Sequence, residues 1–227
     1  MKISIITLFP EMFSGPLTAS ILKRAVSQEK LIVEYVHLRD YATDAYKTVD
    51  DHPYGGGAGM VLKVDVIDRA LSAVLDRSTA TPDKRKIVLM DPQGVPYHQK
   101  LARELADTVS HLVILCGHSE GVDERVRDLV DMEISIGDYV LTGGEIPAMV
   151  LVDSITRLLP GVLKKTDATV HESFEDNLLE YPQYTRPEVY KNRAVPPVLL
   201  SGNHAAIVAW QKEQATLKTK KRRPDLA

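Results

Sequence analysis

The sequence predicts an α/β protein with a mostly parallel sheet, because short apolar segments alternate with segments of helical periodicity along most of the chain. The strand candidates are nearly continuous apolar runs, as expected of strands that helices cover on both faces. A chain of 227 residues can also bury a sizeable core, which allows one large domain and a small one. We find no internal repeat.

In chain order, the predicted strands are 3–8, 31–38, 86–90, 111–116 and 132–136, and the helices between them are 17–28, 64–76, 98–109 and 123–130. Another helix is predicted after Pro147, which suits a first helical turn. The predicted domains are a large domain at 1–160, a linker at 161–175 and a small, mainly helical domain at 176–227. The small domain has a predicted helix at 204–216, followed by a basic tail: Lys218, Lys220, Lys221, Arg222 and Arg223.

Composition excludes several classes of protein. A single cysteine, Cys116, rules out a disulfide framework and favours a reducing, cytoplasmic location; we expect it to serve packing. The N-terminal apolar run is short and leads into Pro10 and Glu11, so it is interpreted as a strand rather than a signal peptide. No segment has the length of a membrane span. A net charge of −3 indicates that any contact with nucleic acid depends on local basic clusters.

A glycine-rich loop at 46–63 suggests a phosphate-binding loop at first sight. No Gly-Lys-Ser/Thr follows its glycines, so the side chains that engage nucleotide phosphate and magnesium are missing. Met60 and Leu62 stand where a dinucleotide fingerprint requires a third glycine. A flexible surface loop remains the alternative.

Three predicted strands are each followed by a loop that contains glycine: 91–94, 117–121 and 137–147. Ligands of open α/β sheets collect at the carboxyl ends of the strands, so these loops are the predicted cofactor site. Gly143 and Gly144 permit a ligand to lie against the backbone. A tight strand-to-helix connection without a ligand is the alternative.

Seven stretches identify a resemblance that covers nearly the whole chain. SIGDYVLTGGEIPAM at 135–149 resembles the signature of the bacterial tRNA (guanine-37-N1)-methyltransferases, the TrmD family of the SPOUT class. Similar stretches follow the same order: LFPEMF at 8–13, VDDHPYGGGAGMVLK at 49–63, PQG at 92–94, CGHSEGVDERV at 116–126, YPQYTRPEVY at 181–190 and PPVLLSGNHAAIVAW at 196–210.

The resemblance implies a C-terminal trefoil knot in the large domain, which holds S-adenosylmethionine in a bent conformation. Knots are too rare to infer from periodicity alone. The implied cofactor-binding residues are Leu89, Met90, Asp91, Pro92, Gly117, Glu120, Ser135, Ile136, Gly137, Asp138, Tyr139, Val140, Leu141, Gly143, Gly144 and Pro147. The chain departs from the family at His118-Ser119, where Arg-Tyr is usual, and at Asp91, where serine is common.

The resemblance also implies two catalytic residues. N1 of guanine must lose its proton to become nucleophilic, and negative charge then develops toward O6. Glu172 matches the family's general base, usually an aspartate, and Arg157 matches its catalytic arginine. Without the resemblance, Arg157 would be interpreted as a surface ion-pair partner of Asp153, four residues earlier, and Glu172 as part of a solvated acidic loop.

The implied substrate is the tRNA anticodon arm, methylated at the guanosine immediately 3′ of the anticodon. The loop at 46–63, with Asp50 and Asp51, would help to enclose the target base, and the basic tail is a candidate for phosphate contacts. The family also implies a homodimer with a shared active site and a magnesium requirement, for which the sequence shows no ligand cluster. Two alternatives stay open: a knotted methyltransferase acting on another RNA position, and an RNA-binding dimer with weakened catalysis.

Overall fold

The computed structural model describes residues 1–163 and 172–226. The chain divides into two compact units, residues 1–164 and 165–227. Most of the linker predicted at 161–175 lies outside the described residues. Within the described ranges, no helix combines the length and apolar character that a bilayer crossing requires.

The N-terminal unit is built on a five-stranded parallel sheet. Its strands are β1 Lys2–Thr7, β2 Ile32–His37, β5 Arg85–Pro96, β6 His111–Cys116 and β7 Met132–Ser135, and a separate pair comprises β3 Asp50–Asp51 and β4 Val61–Leu62. The strand order in the sheet is β2-β1-β6-β5-β7. The α-helices of this unit are α1 Ser20–Ser27, α2 Val64–Asp76, α3 Gln99–Thr108 and α4 Glu145–Thr156. The mostly parallel α/β architecture predicted from the sequence is therefore confirmed.

Both faces of the sheet are covered, which explains the continuous apolar runs. Alternate residues of β1 point to opposite faces, so Ile3 and Ile5 belong to one core with α1, α3 and α4, while Ile6 belongs to another with α2. All six residues of β6, the central strand, are buried. The sheet is therefore a rigid support for the loops at its carboxyl edge.

Most predicted elements lie within two residues of the observed bounds, and three in the N-terminal unit differ in kind or length. The helix predicted at 17–28 is a 3-10 helix, Pro16–Thr18, followed by α1 at Ser20–Ser27. The helix predicted at 123–130 is a 3-10 helix, Glu124–Leu129. The strand predicted at 86–90 continues to Pro96, but its register against β7 breaks after Met90. Met90 and Val95 both align with Ile134, so residues 91–94 leave the ladder as a loop.

The glycine-rich loop is partly ordered by pairing with its neighbours. β3 and β4 pair antiparallel, and Gly55 to Gly59 lie between them. Leu62 accepts from the Asp123 N–H at 3.0 Å and donates to the Gly121 carbonyl at 3.0 Å. The loop thus lies beside the segment that follows β6.

The C-terminal unit contains α5 Pro197–Leu200, α6 His204–Arg222 and a short antiparallel hairpin, β8 Val189–Tyr190 with β9 Arg193–Ala194. Helix α6 is six residues longer than predicted, and it includes most of the predicted basic tail. Thr219 is buried within this stretch and accepts from the Leu179 N–H at 2.8 Å. Lys218 donates to the Glu180 carbonyl at 2.8 Å. The basic cluster is therefore helical rather than an extended tail.

Candidate active site

The three predicted loops meet at the carboxyl ends of β5, β6 and β7 and surround a cavity of about 270 Å³. Leu89, Ile134, Ile136 and Pro147 give the cavity apolar walls, and glycine backbone supplies much of the remainder. Apolar walls with a few fixed polar groups are typical of small-molecule sites. The arrangement suits a flat heterocycle with polar substituents.

Gly143 and Gly144 bring the start of α4 against the end of β6. The Gly144 N–H donates to the Gly117 carbonyl at 2.8 Å. A Cβ atom on Gly144 would lie 2.7 Å from the Cα of Cys116, which is closer than real Cβ atoms approach backbone. Glycine is required here because two backbones touch, and both glycines line the cavity.

The turn after β7 is held by local hydrogen bonds. The Ser135 hydroxyl donates to the Gly137 carbonyl at 3.2 Å and accepts from the Gly137 N–H at 3.3 Å. Gly137 has a φ of 151° and packs against the Tyr139 ring, so a Cβ atom there would lie 2.5 Å from that ring. The run Tyr139 to Leu141, of which Tyr139 and Val140 are exposed, forms no strand and borders the cavity instead.

His118, one of the departures from the family pattern, lines the cavity and packs against Phe9 with 4.8 Å between ring centroids. Its Nδ1 is buried, and no hydrogen-bond partner for it exists within the described ranges. Glu145 is also buried, at 2% exposure, and accepts from the Thr7 hydroxyl at 2.7 Å. Buried polar groups of this kind are expensive unless they are bonded, so Thr7 supports the first turn of α4.

Asp91, the other position at which the chain departs from the family pattern, forms an ion pair. Its carboxylate contacts the Arg127 guanidinium at 3.3 Å and accepts from the Gln93 N–H at 2.8 Å. Arg127 also binds Glu124 and Glu133. The aspartate therefore fixes the loop at 91–94 to the segment before β7, so it has a positioning role that needs no ligand.

Cys116 ends β6 and is almost fully buried. Burial, and secondarily the nearby Glu145 carboxylate, raises the pKa of the Cys116 thiol well above its ordinary value. A thiol held in its neutral form is a poor nucleophile. This agrees with the prediction that the cysteine serves packing.

The structure gathers the predicted cofactor-binding residues around this one cavity, with the exception of Asp138, whose side chain is exposed. The lining also contains residues that were not predicted: Gln93, His118, Ser119, Gly121, Val122, Ile134 and Thr142. Five of these residues belong to the predicted loops and could have been included on that ground: Gln93, His118, Ser119, Gly121 and Thr142. Nothing in the sequence marks Val122, which reaches the site through the pairing of residue 62 with residue 122.

The two predicted catalytic residues belong to different units. Arg157 directly follows α4, is half-buried, and donates its backbone N–H to the Asp153 carbonyl at 3.2 Å. Glu172 is half-buried in the C-terminal unit. No cluster of three or more His, Cys, Asp or Glu side chains in 1–163 and 172–226 could hold a metal ion.

Comparison with known proteins identifies the family of the chain. The model of the family described as "tRNA (Guanine-1)-methyltransferase TrmD" matches residues 1–227. Proteins named tRNA (guanine-N(1)-)-methyltransferase from Carboxydothermus hydrogenoformans, Staphylococcus haemolyticus and Listeria innocua are 53%, 52% and 51% identical over 227 residues. These matches cover 100% of this chain and 87%, 90% and 91% of those relatives. The chain therefore belongs to the tRNA (guanine-1)-methyltransferase TrmD family.

Proposed function

We propose that this protein transfers a methyl group from S-adenosylmethionine to N1 of the guanosine immediately 3′ of the tRNA anticodon. The observation that carries the proposal is the cavity of about 270 Å³ at the carboxyl ends of β5 to β7, found in a member of the TrmD family. Because tRNA is the substrate, we place the enzyme in the cytoplasm.

The cavity residues suit S-adenosylmethionine. The apolar side chains of Leu89, Ile134, Ile136 and Pro147 can cover an adenine ring, and main-chain groups beside Gly143 and Gly144 can read its polar edge. The bound cofactor supplies an electrophilic methyl group. The protein therefore has to position the guanine, remove its N1 proton and stabilise the charge that develops at O6.

We assign proton removal to Glu172 and charge stabilisation to Arg157. A carboxylate can accept the N1 proton, and a guanidinium near O6 lowers the energy of the developing anion. Replacement of Glu172 by Gln keeps the size of the side chain and removes the base. The variant is expected to bind cofactor and tRNA as the wild type does while losing turnover.

We propose a trefoil knot formed by the same three loops. The proposal is supported by two close backbone approaches, at Gly94 and Gly144. A Cβ atom on Gly94 would lie 2.4 Å from the Glu133 carbonyl carbon in β7. Contacts this tight between segments distant in sequence are what a threaded chain requires.

We also propose a homodimer in which Arg157 of one subunit works with Glu172 of the other. The exposed apolar side chains of Ile146 and Val150 on α4 support a subunit interface on this helix. Mixing Arg157→Ala protein with Glu172→Gln protein would then create one intact site per mixed dimer. We expect activity in the mixture although each variant is inactive alone; sites formed within one subunit would give none.

The activity is tested with unmodified tRNA transcripts that differ only at the nucleotide 3′ of the anticodon. Methylation of N1 blocks the pairing edge of guanine, so reverse transcription should stop at that position after incubation with enzyme and cofactor. A transcript with adenosine there is the control. A stop at a different guanosine would instead support a methyltransferase for another RNA position. Cofactor and tRNA binding without any stop would support an RNA-binding dimer with weakened catalysis.

A further inference from the structure

An exposed hairpin in the C-terminal unit carries an aromatic ring between basic side chains. Val189 pairs with Ala194 and Tyr190 with Arg193. Lys191 and Asn192 form the turn with φ values of 45° and 61°, the conformation favoured in two-residue hairpin turns. The Val195 N–H donates to the Glu188 carbonyl at 2.9 Å and closes the base of the hairpin. Residues 189–194, the hairpin tip, therefore have a defined backbone conformation.

The side chains of the hairpin tip are turned to solvent. Tyr190 is 61% exposed and Val189 is 56% exposed, although both are large enough to stabilise a core. The only ring contact of Tyr190 within the described residues is Lys191, whose Nζ lies 5.4 Å from the ring centroid. Apart from Lys191, no described residue of the C-terminal unit makes a ring contact with Tyr190, so the hairpin presents an aromatic side chain that is mostly exposed.

The charge around this aromatic face is positive. Residues 186–194 contain Arg186, Lys191 and Arg193 against one carboxylate, Glu188, whereas the whole chain has a net charge of −3. Each of these four charged side chains is exposed. An aromatic ring flanked by cations on a preformed support is the combination that binds unpaired nucleotides, because bases stack on the ring and phosphates contact the cations.

We propose that the hairpin tip binds an unpaired nucleotide of the tRNA, with a base stacked on Tyr190 and adjacent phosphates contacted by Lys191 and Arg193. This inference rests on the proposed function, because it names residues that hold the same substrate. A self-complementary contact with a second copy of the chain fits the surface less well, since it would bring the positive charges of two hairpins together.

The stacking contact is tested by measuring the affinity of full-length variants for an unmodified tRNA transcript. Tyr190→Ala should weaken binding roughly 5- to 150-fold, which corresponds to the energy of one base stacked on an aromatic side chain. Tyr190→Phe keeps the ring and should bind within about 3-fold of wild type. Val208→Ala, which removes a side chain of 59% exposure from α6, is the matched control and should leave binding unchanged.

The phosphate contacts are tested by salt dependence. Replacing Lys191 and Arg193 together by alanine should reduce the slope of log affinity against log salt by about 1.4, the value for two contacts to a single strand. An unchanged slope would overturn the phosphate contacts. Equal tRNA affinity of Tyr190→Ala and wild type, or a change in the sedimentation coefficient of that variant, would overturn the stacking contact.

Failure of this inference is distinguishable from failure of the proposed function. Wild-type methylation 3′ of the anticodon, combined with unchanged tRNA affinity in all hairpin variants, would refute only the hairpin contact. Absence of wild-type methylation would refute the function whatever the hairpin does. Binding of S-adenosylhomocysteine, measured by calorimetry, should be unchanged in every hairpin variant and checks that the N-terminal unit remains folded, and the fluorescence of Trp210 checks the C-terminal unit, which contains the hairpin.

Discussion

Replacing either of two buried threonines in the N-terminal unit by valine should change the free energy of unfolding, in opposite directions at the two sites. Thr156 in α4 and Thr7 in β1 are both fully buried. The Thr156 hydroxyl has no hydrogen-bond partner within the described part of the chain. The Thr7 hydroxyl donates to the Glu145 carboxylate at 2.7 Å and accepts from the Phe9 N–H at 2.9 Å. Valine has nearly the shape of threonine, so the substitution isolates the effect of the hydroxyl.

The size of each change in the free energy of unfolding follows from the hydrogen bonds that each hydroxyl makes or lacks. An unsatisfied buried hydroxyl costs about 1–3 kcal/mol, so Thr156→Val should raise the free energy of unfolding by about 1 kcal/mol once imperfect repacking is included. Thr7→Val removes a bond to a buried carboxylate and leaves the Phe9 N–H unsatisfied, which should lower the free energy of unfolding by about 2–4 kcal/mol. Valine and threonine have similar helix and strand propensities, so backbone preference contributes little.

Urea unfolding, followed by far-ultraviolet circular dichroism, measures the free energy of unfolding of both variants. The chain has one tryptophan, Trp210, in the C-terminal unit, so its fluorescence reports separately on that unit and should be unaffected. The reasoning would be refuted if Thr156→Val were destabilised by more than about 1 kcal/mol, or if Thr7→Val were as stable as wild type.

Three further predictions concern pH, packing and charge. His111 is buried between the hydroxyls of Ser4 and Ser78, and burial lowers the pKa of its imidazole from 6.5 to about 4. As the pH falls, His111 therefore takes up a proton in the unfolded chain before it does so in the folded chain. The free energy of unfolding should therefore fall by about 2 kcal/mol between pH 7 and pH 5. Denaturation at both pH values should show that His111→Gln loses less stability than the wild type. The control His52→Gln, at an exposed site, should lose as much stability as the wild type. Gly144→Ala should lower the free energy of unfolding by roughly 1–3 kcal/mol, because the new methyl group meets backbone, and should weaken S-adenosylhomocysteine binding about tenfold or more in calorimetry. In the control Gly15→Ala the methyl group meets nothing within 4 Å, so stability and binding should both stay unchanged. Replacing the exposed Lys220, Lys221 and Arg222 of α6 with alanine should weaken tRNA binding and lower its salt slope by about 2 to 3; an unchanged slope would show that this cluster contacts no phosphate.

The large domain was predictable because its local signals and its tertiary environment agree. The run at 111–116 is apolar throughout, and it becomes the fully buried central strand with the predicted bounds. The helix at 64–76 likewise has its predicted bounds, with one apolar face against the sheet. By contrast, the loop at 91–94 contains proline and glycine, which hid the continuation of β5 beyond it.

Helix α6 is longer than its local polarity predicts. The predicted helix ends at residue 216 and a basic tail is predicted after it, although lysine and arginine are good helix formers. The helix continues because Thr219 is buried and bonded to Leu179, a contact between residues forty positions apart. Such contacts leave no trace in the periodicity of either segment.

The alternation of strands and helices, the glycine loops that follow β5, β6 and β7, and the resemblance to the TrmD family could all be predicted from the sequence. Three features required the folded structure: the pairing of Asp91 with Arg127, the burial of the Thr156 hydroxyl with no partner among the described residues, and the exposure of the Tyr190 hairpin. The physical reason is that periodicity reports which face of an element is apolar, whereas pairing and burial depend on which distant segment covers that face.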